Sequence, residues 1–213
     1  MTQAEKSTGK TPYHHGDLRR SLMTEAIGII HDLGIEGLSL RKLADRVGVS
    51  QTAIYHHFKD KQALLGALGI EGINRFGEQV TSVLQDASRP VSQRFEDFVL
   101  AYMRFALDNP ELYELMLGRT TWKLGDNEEF KHSARATFRV YGEGLMLLQS
   151  AGSLPRHVNP LRLAQVSWAT LHGLCRMYID GLAFTEQDVE DITRYAVSML
   201  KAALEPKPGS EPA

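Results

Sequence analysis

The residues best suited to chemistry lie close together in the segment from Ser39 to Phe58, SLRKLADRVGVSQTAIYHHF. Apolar side chains along it can hold two short helices together, and Gly48 fits the sharp turn between them. The second helix exposes polar and aromatic side chains, namely Gln51, Thr52, Tyr55, His56 and His57. Such side chains are suited to base edges and phosphates in a DNA major groove. The spacing therefore predicts a helix-turn-helix that contacts DNA.

The elements around this segment are predicted to be helical, because apolar positions recur at helical spacing along almost the whole chain. The predicted helices cover residues 18–33, 40–47, 51–58, 61–84, 91–108, 110–117, 127–151, 160–181 and 185–204. Gly34 is expected to end the first helix in a left-handed conformation, and Leu33 is expected to belong to the buried stripe of that helix. The expected N-caps of the first four helices are Asp17, Ser39, Ser50 and Asp60. We expect an all-α protein with domains over residues 13–60 and 61–204 and flexible tails over residues 1–12 and 205–213.

The helix predicted over residues 61–84 contains several glycines, each of which costs about 1 kcal/mol relative to alanine at an exposed helical position. These residues are Gly66, Gly69, Gly72 and Gly77. One explanation is that small residues let neighbouring helices approach closely. The other is that the helix is a soft connector between two domains, and the sequence leaves both open.

Composition and charge exclude several classes of protein. Cys175 is the single cysteine, so an intrachain disulfide and a zinc site of several thiolates are excluded, and we expect a reducing cytoplasm. The longest uncharged apolar stretch, 163–175, is shorter than the roughly 20 residues that a membrane-spanning helix needs. The polar N-terminal residues 1–15 lack the apolar stretch of an export signal. The net charge is −2, yet residues 1–61 hold nine Lys or Arg against seven Asp or Glu, which favours DNA as a partner of this end.

The segment Ile35–Leu68, IEGLSLRKLADRVGVSQTAIYHHFKDKQALLGAL, resembles the DNA-binding domain of the tetracycline-repressor (TetR) family, and the match extends over roughly residues 14–68. The Gly-Leu-Ser approach, the Gly48 turn, and the blocks 54–58 and 61–65 all fall in family order. Members of this family are homodimeric, ligand-controlled transcription regulators, usually repressors. The resemblance implies an N-terminal three-helix DNA-binding domain followed by a larger helical ligand-binding and dimerisation domain.

The family pattern, carried over residue by residue, implies base contacts by Arg41, Gln51 and Thr52. Arg41 could bind guanine through two hydrogen bonds and Gln51 could bind adenine in the same way. Tyr55 and His57 match positions that usually contact phosphates. The remaining candidates at the DNA surface are Ser39, Ser50, His56 and Lys61.

Downstream, the segment SWATLHGLCRMY is similar to the C-terminal domain of a TetR subgroup with a Trp, His and Gly signature, here Trp168, His172 and Gly173. The helix over 160–181 is apolar on more than one face, and the last helix repeats the arrangement. One face can pack internally while another contacts a partner. We therefore predict a homodimer through the last two helices, as the family also implies.

A ligand pocket is predicted among the middle helices, whose aromatic residues include Phe76, Phe98, Phe138 and Trp122. Residues that join apolar area to a polar group are the best candidates for ligand contact. The predicted ligand-binding residues are Tyr102, Phe105, Tyr141, Trp168 and His172. They favour a small, mostly apolar or aromatic effector. The family resemblance implies that such an effector releases the protein from a palindromic operator.

Other classes of function fit the sequence less well. No nucleophile elbow, phosphate loop or metal-ligand spacing is present, so we expect neither an enzyme nor a cofactor. His56 and His57 would point about 100° apart on a helix and cannot easily share a metal ion. One alternative function is that of a helical carrier of apolar molecules. For a regulator, two further alternatives are activation in place of repression and a ligand that promotes DNA binding.

Overall fold

The computed structural model describes residues 15–86, 88–118, 128–182 and 185–204, which contain helices and no β-strand. The all-α prediction is confirmed. The helices are α1 His15–Gly37, α2 Leu40–Val47, α3 Gln51–Tyr55, α4 Lys61–Gln85, α5 Val91–Asp108, α6 Pro110–Leu117, α7 Glu128–Ser150, α8 Pro160–Ile179 and α9 Glu186–Leu204. None of them, within the ranges given above, is long and apolar enough to cross a membrane. Both predicted tails, residues 1–12 and 205–213, lie outside the described residues. Residues 13–14 of the first predicted domain lie outside them as well.

The chain divides into two compact units, Met1–Leu64 and Leu65–Ala213. In the first, α2 contacts both α1 and α3. One face of α1 is buried with the spacing of three to four residues that a helical stripe requires. The buried residues of α1 are Leu18, Leu22, Met23, Ala26, Ile29 and Ile30. Leu43 and Ala44 of α2 and Ile54 of α3 are fully buried and complete this core. Each large apolar side chain buried in this way stabilises the unit by about 1.5–3 kcal/mol.

Three details of the predicted first helix are wrong. The helix begins at His15, so Asp17 lies within its first turn and is not the N-cap. Gly34 has the expected positive φ of 70°, but its ψ of 172° lies outside the left-handed helical region, and a short helical turn follows to Gly37. Leu33, predicted as part of the buried stripe, is 54% exposed. The kink at Gly34 ends the straight part of α1, and the returning chain brings Gly37 against the Leu33 side chain.

The second unit has α5 at its centre, in contact with α6, α8 and α9, while α7 contacts α8. Aromatic side chains fill much of its core. Phe98 stacks on Tyr141 with ring centroids 4.6 Å apart, and Phe76 meets the Tyr102 ring edge to face at 5.0 Å. Such pairs contribute about 0.5–1.5 kcal/mol each beyond the area that they bury. The core therefore holds rigid walls of aromatic rings between the helices.

The glycines of α4 differ in their surroundings. A Cβ atom on Gly69 would lie 2.9 Å from Cε2 of Phe130 and 3.1 Å from the Leu115 carbonyl oxygen, and one on Gly72 would lie 2.8 Å from the Met116 side chain. At Gly77 the nearest atom is 3.9 Å away. Close approach of neighbouring side chains and backbone thus explains Gly69 and Gly72, and it does not explain Gly77.

These contacts predict opposite effects of two alanine substitutions. Gly77→Ala is expected to stabilise the protein by about 1 kcal/mol, since alanine favours the helix and meets no close atom. Gly69→Ala gains the same helix preference but overpacks Phe130 and Leu115, so it should be less stable than Gly77→Ala by about 1–3 kcal/mol. Urea unfolding followed by circular dichroism measures both. Equal stabilities of the two variants would contradict the packing explanation.

Candidate DNA-binding surface and ligand cavity

The turn between α2 and α3 is built by local hydrogen bonds. Gly48 adopts a left-handed conformation with φ 76° and ψ 33°. Its N–H donates to the Ala44 carbonyl oxygen at 2.9 Å, and the Val49 N–H donates to the same oxygen at 3.1 Å. A side chain at residue 48 would be strained by this positive φ whatever the space around it. The turn therefore joins the two helices as the sequence predicts for a helix-turn-helix.

Side-chain caps fix the starts of the helices. The Ser39 Oγ accepts from the Lys42 N–H at 3.2 Å, and the Ser50 Oγ accepts from the Ala53 N–H at 3.2 Å. The Asp60 Oδ1 accepts from the Ala63 N–H at 2.7 Å at the start of α4. These three predicted N-caps are confirmed. Each such cap stabilises its helix by about 1 kcal/mol.

The polar face of α3 is exposed while its apolar side is anchored. Ile54 is fully buried, whereas Gln51 and Thr52 are exposed and Tyr55 is 57% exposed. Ser39, Arg41 and Ser50 are exposed as well. We call Arg41, Gln51, Thr52 and Tyr55 the recognition face, because these side chains are available to a partner.

The other predicted DNA contacts differ in position. α3 ends at Tyr55, so the helix predicted as far as residue 58 is too long, and His56 and His57 lie in the turn that follows. The N–H groups of His57 and Phe58 both donate to the Ile54 carbonyl oxygen, which closes the helix early. His56 is exposed, whereas His57 and Lys61 are half-buried.

The cations of α2 divide into two kinds. Arg46 binds Glu25 at 2.8 Å and Asp32 at 3.1 Å, and these hydrogen bonds, with Asp32 the larger cause, raise the pKa of its guanidinium. Lys42 donates from Nζ to the Gly37 carbonyl oxygen at 2.9 Å. Among the residues that the structure describes, no ion pair or hydrogen bond engages the Arg41 side chain. Arg41 is therefore the cation of this helix that is left available for DNA.

The second unit contains a cavity of about 640 Å³. Its volume lies within the roughly 300–1,000 Å³ of small-molecule sites. Residues of α4, α5, α6, α7 and α8 form its walls, and most of them are apolar. The lining comprises Ile73, Phe76, Gly77, Val80, Thr81, Leu84, Phe98, Tyr102, Met116, Leu117, Ala134, Arg135, Ala136, Thr137, Phe138, Val140, Tyr141, Gln165, Trp168 and Ala169.

The cavity brings together three of the five predicted ligand-binding residues, namely Tyr102, Tyr141 and Trp168. Phe105 and His172 are not among the lining residues. Phe105 packs edge to face on Phe76 at 5.4 Å, and His172 stacks on Trp168 at 5.3 Å with the rings 5° from parallel. Both thus support wall residues from behind. Trp122 lies outside the described residues.

Sequence reasoning missed the aliphatic wall that α4 provides. Ile73, Val80 and Leu84 line the cavity together with Phe76 and Gly77. Their spacing follows one face of a helix, so a helical projection of α4 could have found the stripe. Only the assembled fold shows that the stripe faces a cavity.

The tyrosine hydroxyls of the cavity wall have partners within the protein. The Tyr102 and Tyr113 hydroxyl oxygens lie 3.1 Å apart, and Tyr113 lies 2.8 Å from Nδ1 of His172. Ser167 donates its hydroxyl proton to the Leu163 carbonyl oxygen, so Tyr141 must donate to the Ser167 Oγ, 2.7 Å away. Burial raises the pKa of Tyr141 to about 12 and raises the pKa values of Tyr102 and Tyr113 well above the usual range. The wall is therefore uncharged at these residues.

His172 and Cys175 lie one turn apart on α8 in surroundings that suppress their charged forms. Burial, followed by the nearby Arg176 guanidinium, lowers the pKa of His172. Burial raises the pKa of the Cys175 thiol to about 12. A buried thiol with a raised pKa is a poor nucleophile, because the thiolate is the reactive species. The pair has the features of a packed core and not of a Cys–His catalytic site.

The burial of the Cys175 thiol and its raised pKa predict that this thiol is unreactive in the folded protein. We expect almost no reaction with 5,5′-dithiobis(2-nitrobenzoate) at about pH 8, well below the raised thiol pKa. In denaturant the single thiol should react completely. Absorbance at 412 nm follows the reaction. Fast, complete reaction of the native protein would show that the thiol is accessible and ionised.

Comparison with known proteins relates both units to one family. Residues 22–68 match the family model described as bacterial regulatory proteins, tetR family, and residues 95–200 match a model described as tetracyclin repressor-like, C-terminal domain. Together the two matches span most of the chain. The chain belongs to the tetracycline-repressor family. The C-terminal match does not name the subgroup with the Trp, His and Gly signature, which stays a prediction.

Individual relatives agree with this assignment. The tetracycline repressor protein class C of Escherichia coli is 50% identical over 50 residues, which cover 24% of this chain and 23% of that repressor. The HTH-type transcriptional repressor AcnR of Corynebacterium efficiens is 31% identical over 108 residues, covering 51% of this chain and 48% of AcnR. The aligned segments thus span about a quarter and about half of these relatives. A structure of a protein with unknown function from Rhodococcus sp. RHA1 has a TM-score of 0.80 and 31% identity, covering 92% of this chain and 100% of that chain.

Proposed function

We propose that the protein is a cytoplasmic, homodimeric transcription regulator that binds a palindromic operator and is released from it by a small effector. The observation that carries this proposal is the recognition face. Gln51, Thr52 and Tyr55 are exposed on a capped helix, and Arg41 is exposed beside them with no ion pair or hydrogen bond to any residue that the structure describes. Arginine and glutamine each offer two hydrogen bonds to a base edge in the major groove. The repressors matched by the chain support repression as the direction of control.

The proposed dimer uses apolar side chains that the chain leaves exposed on α8 and α9. They are Val166, Met177, Tyr195 and Met199, with exposed fractions of 39–68%. Other apolar residues of α8, including Ala164, Leu171 and Cys175, face the core. Two copies that share this face would bury it, and a monomeric mass in sedimentation at micromolar concentration would contradict the dimer.

The effector is proposed to bind in the cavity and to act through α4. This helix begins at Lys61, at the end of the first unit, and lines the cavity between Ile73 and Leu84. The two recognition faces of a dimer bind successive major grooves, which lie about 34–36 Å apart. A ligand lowers operator affinity only to the extent that it favours a dimer geometry in which the two faces no longer have this spacing. If no ligand of the cavity changed the affinity for the operator, the proposed coupling would be contradicted, although DNA binding itself would still stand.

Selection from a random duplex library tests the proposed function. The purified protein is expected to enrich a palindrome, because two equivalent recognition faces bind two equivalent half-sites. Refolding from denaturant before the selection removes any co-purified ligand. Enrichment of no sequence by the refolded dimer would contradict the proposal and favour the alternative of a helical carrier protein.

A further inference from the structure

We propose that the cavity binds an amphipathic monoanion, with its apolar body in the interior and its single acidic group at the mouth beside Arg135. This inference rests on the proposed function only in treating the cavity as the effector site. It names the chemical class of the effector, which family membership leaves open.

The interior of the cavity has no place for a charged or strongly polar group. The hydroxyls of Tyr102 and Tyr141 are already bonded to Tyr113 and Ser167, and the Thr137 hydroxyl donates to the Ser133 carbonyl oxygen at 3.1 Å. Apart from the half-buried Thr81 and the Met116 thioether, the other inner walls are aliphatic or aromatic. A charged ligand group placed there would lose its hydration and meet no group of opposite charge, which costs free energy. The interior therefore selects an apolar body.

The mouth of the cavity lies where its lining residues are exposed to solvent. These residues are Arg135 and Val140 of α7 and Gln165 and Ala169 of α8. A ligand that enters between α7 and α8 thus passes two apolar and two polar side chains. Its polar end can stay at this opening while its apolar end is buried.

The polar groups at the mouth are donors of hydrogen bonds. In the part of the chain that the structure describes, no ion pair or hydrogen bond engages Arg135. Gln165 accepts from Arg162 Nη1 through its Oε1 at 2.8 Å, and this bond does not use its amide N–H groups. Arg162 adds a second positive charge next to Gln165. No aspartate or glutamate is among the lining residues.

This arrangement favours one negative charge on the ligand. A carboxylate or sulfonate at the mouth would accept hydrogen bonds from the Arg135 guanidinium and the Gln165 amide, and charge-assisted bonds of this kind are stronger than neutral ones. A cation would meet Arg135 and Arg162 with no compensating acid among the lining residues. A neutral apolar molecule would fill the interior but leave Arg135 without a partner.

Two fluorescent probes test the proposal with the full-length protein. 8-Anilinonaphthalene-1-sulfonate and N-phenyl-1-naphthylamine share the same apolar body, and only the first carries a sulfonate. The variants are Arg135→Gln, the matched control Arg139→Gln, which removes an exposed arginine of α7 that does not line the cavity, and Gly77→Leu, which fills the cavity from α4. Circular dichroism verifies that each variant is folded.

We expect the variants to distinguish the contribution of the sulfonate charge to binding from the contribution of the buried apolar body. Arg135→Gln should weaken binding of the sulfonate probe about tenfold, the scale of one lost charge-assisted hydrogen bond, and leave the neutral probe within about twofold. Arg139→Gln should change neither probe. Gly77→Leu should weaken both, because the leucine side chain occupies the space that both probes need.

Three results with the variants would overturn the proposal. They are an unchanged affinity of Arg135→Gln for the sulfonate probe, an equal loss for both probes, and unaltered binding of both to Gly77→Leu, which would place the probes elsewhere. Failure of either probe to bind the wild-type protein would also overturn it. None of these results bears on DNA binding, which the duplex selection tests separately.

Discussion

Arg41→Ala is expected to weaken binding to the selected palindrome at least about thirtyfold. Each protomer would lose a two-pronged contact with guanine of about 1–3 kcal/mol, and a dimer makes the contact twice. The side chain is exposed and has no partner within the described residues, so its removal should leave the first unit folded. Fluorescence anisotropy of a labelled duplex measures the affinity.

The adjacent cation provides the control for this prediction. Lys42 is also exposed, but its ammonium group donates to the Gly37 carbonyl oxygen. Lys42→Ala is expected to change affinity for the palindrome and for a scrambled duplex by the same small factor, as loss of a charge without base recognition would. If Arg41→Ala also weakened both duplexes equally, Arg41 would be a phosphate contact and the assigned base contact would be wrong.

Phe98→Ala is expected to lower the free energy of unfolding by about 3 kcal/mol, near the low end for such a substitution. Phe98 is 2% exposed and stacks on Tyr141 at 4.6 Å, so its loss removes a large, well-packed ring. The value lies at the low end because part of the ring already faces the cavity and has fewer atoms to lose contact with. Proteins of this size are stable by only about 5–15 kcal/mol, so the effect is large.

A second lining residue provides the comparison. Val140 also lines the cavity but is 45% exposed, and Val140→Ala is expected to change stability by no more than about 0.5 kcal/mol. Urea unfolding with near- and far-ultraviolet circular dichroism measures both variants. A loss below about 1 kcal/mol for Phe98→Ala would show that the aromatic stack contributes little to the core.

The sequence predicts the helix-turn-helix well because the signals for it are local. A serine before each short helix and a glycine between them are enough to place the caps and the turn, and the structure shows Ser39, Ser50 and Gly48 in those roles. The same reasoning fails at Asp17, since cap preference is weak when the preceding residues can continue the helix. It also extends α3 too far, because periodicity alone does not reveal that the Ile54 carbonyl closes the helix.

The ligand cavity could be predicted only in part, because five helices distant in sequence form it. Aromatic residues with a polar group indicate a site, and Tyr102, Tyr141 and Trp168 do line the cavity. The same criterion selects His172, which the fold places behind Trp168. Arg135 carries no sequence signal, since an arginine on an amphipathic helix is usually solvated. Its position at the mouth follows from packing, which a linear pattern does not encode.

Specificity for DNA sequence tests the account's central claim most directly. The measurement is the affinity of the refolded protein for the selected palindrome and for a scrambled duplex of equal length at about 0.15 M salt. We expect the palindrome to bind at least about 10³-fold more tightly, as specific complexes do. Equal affinities that fall together as salt is raised would show binding through phosphates alone and contradict a sequence-reading regulator.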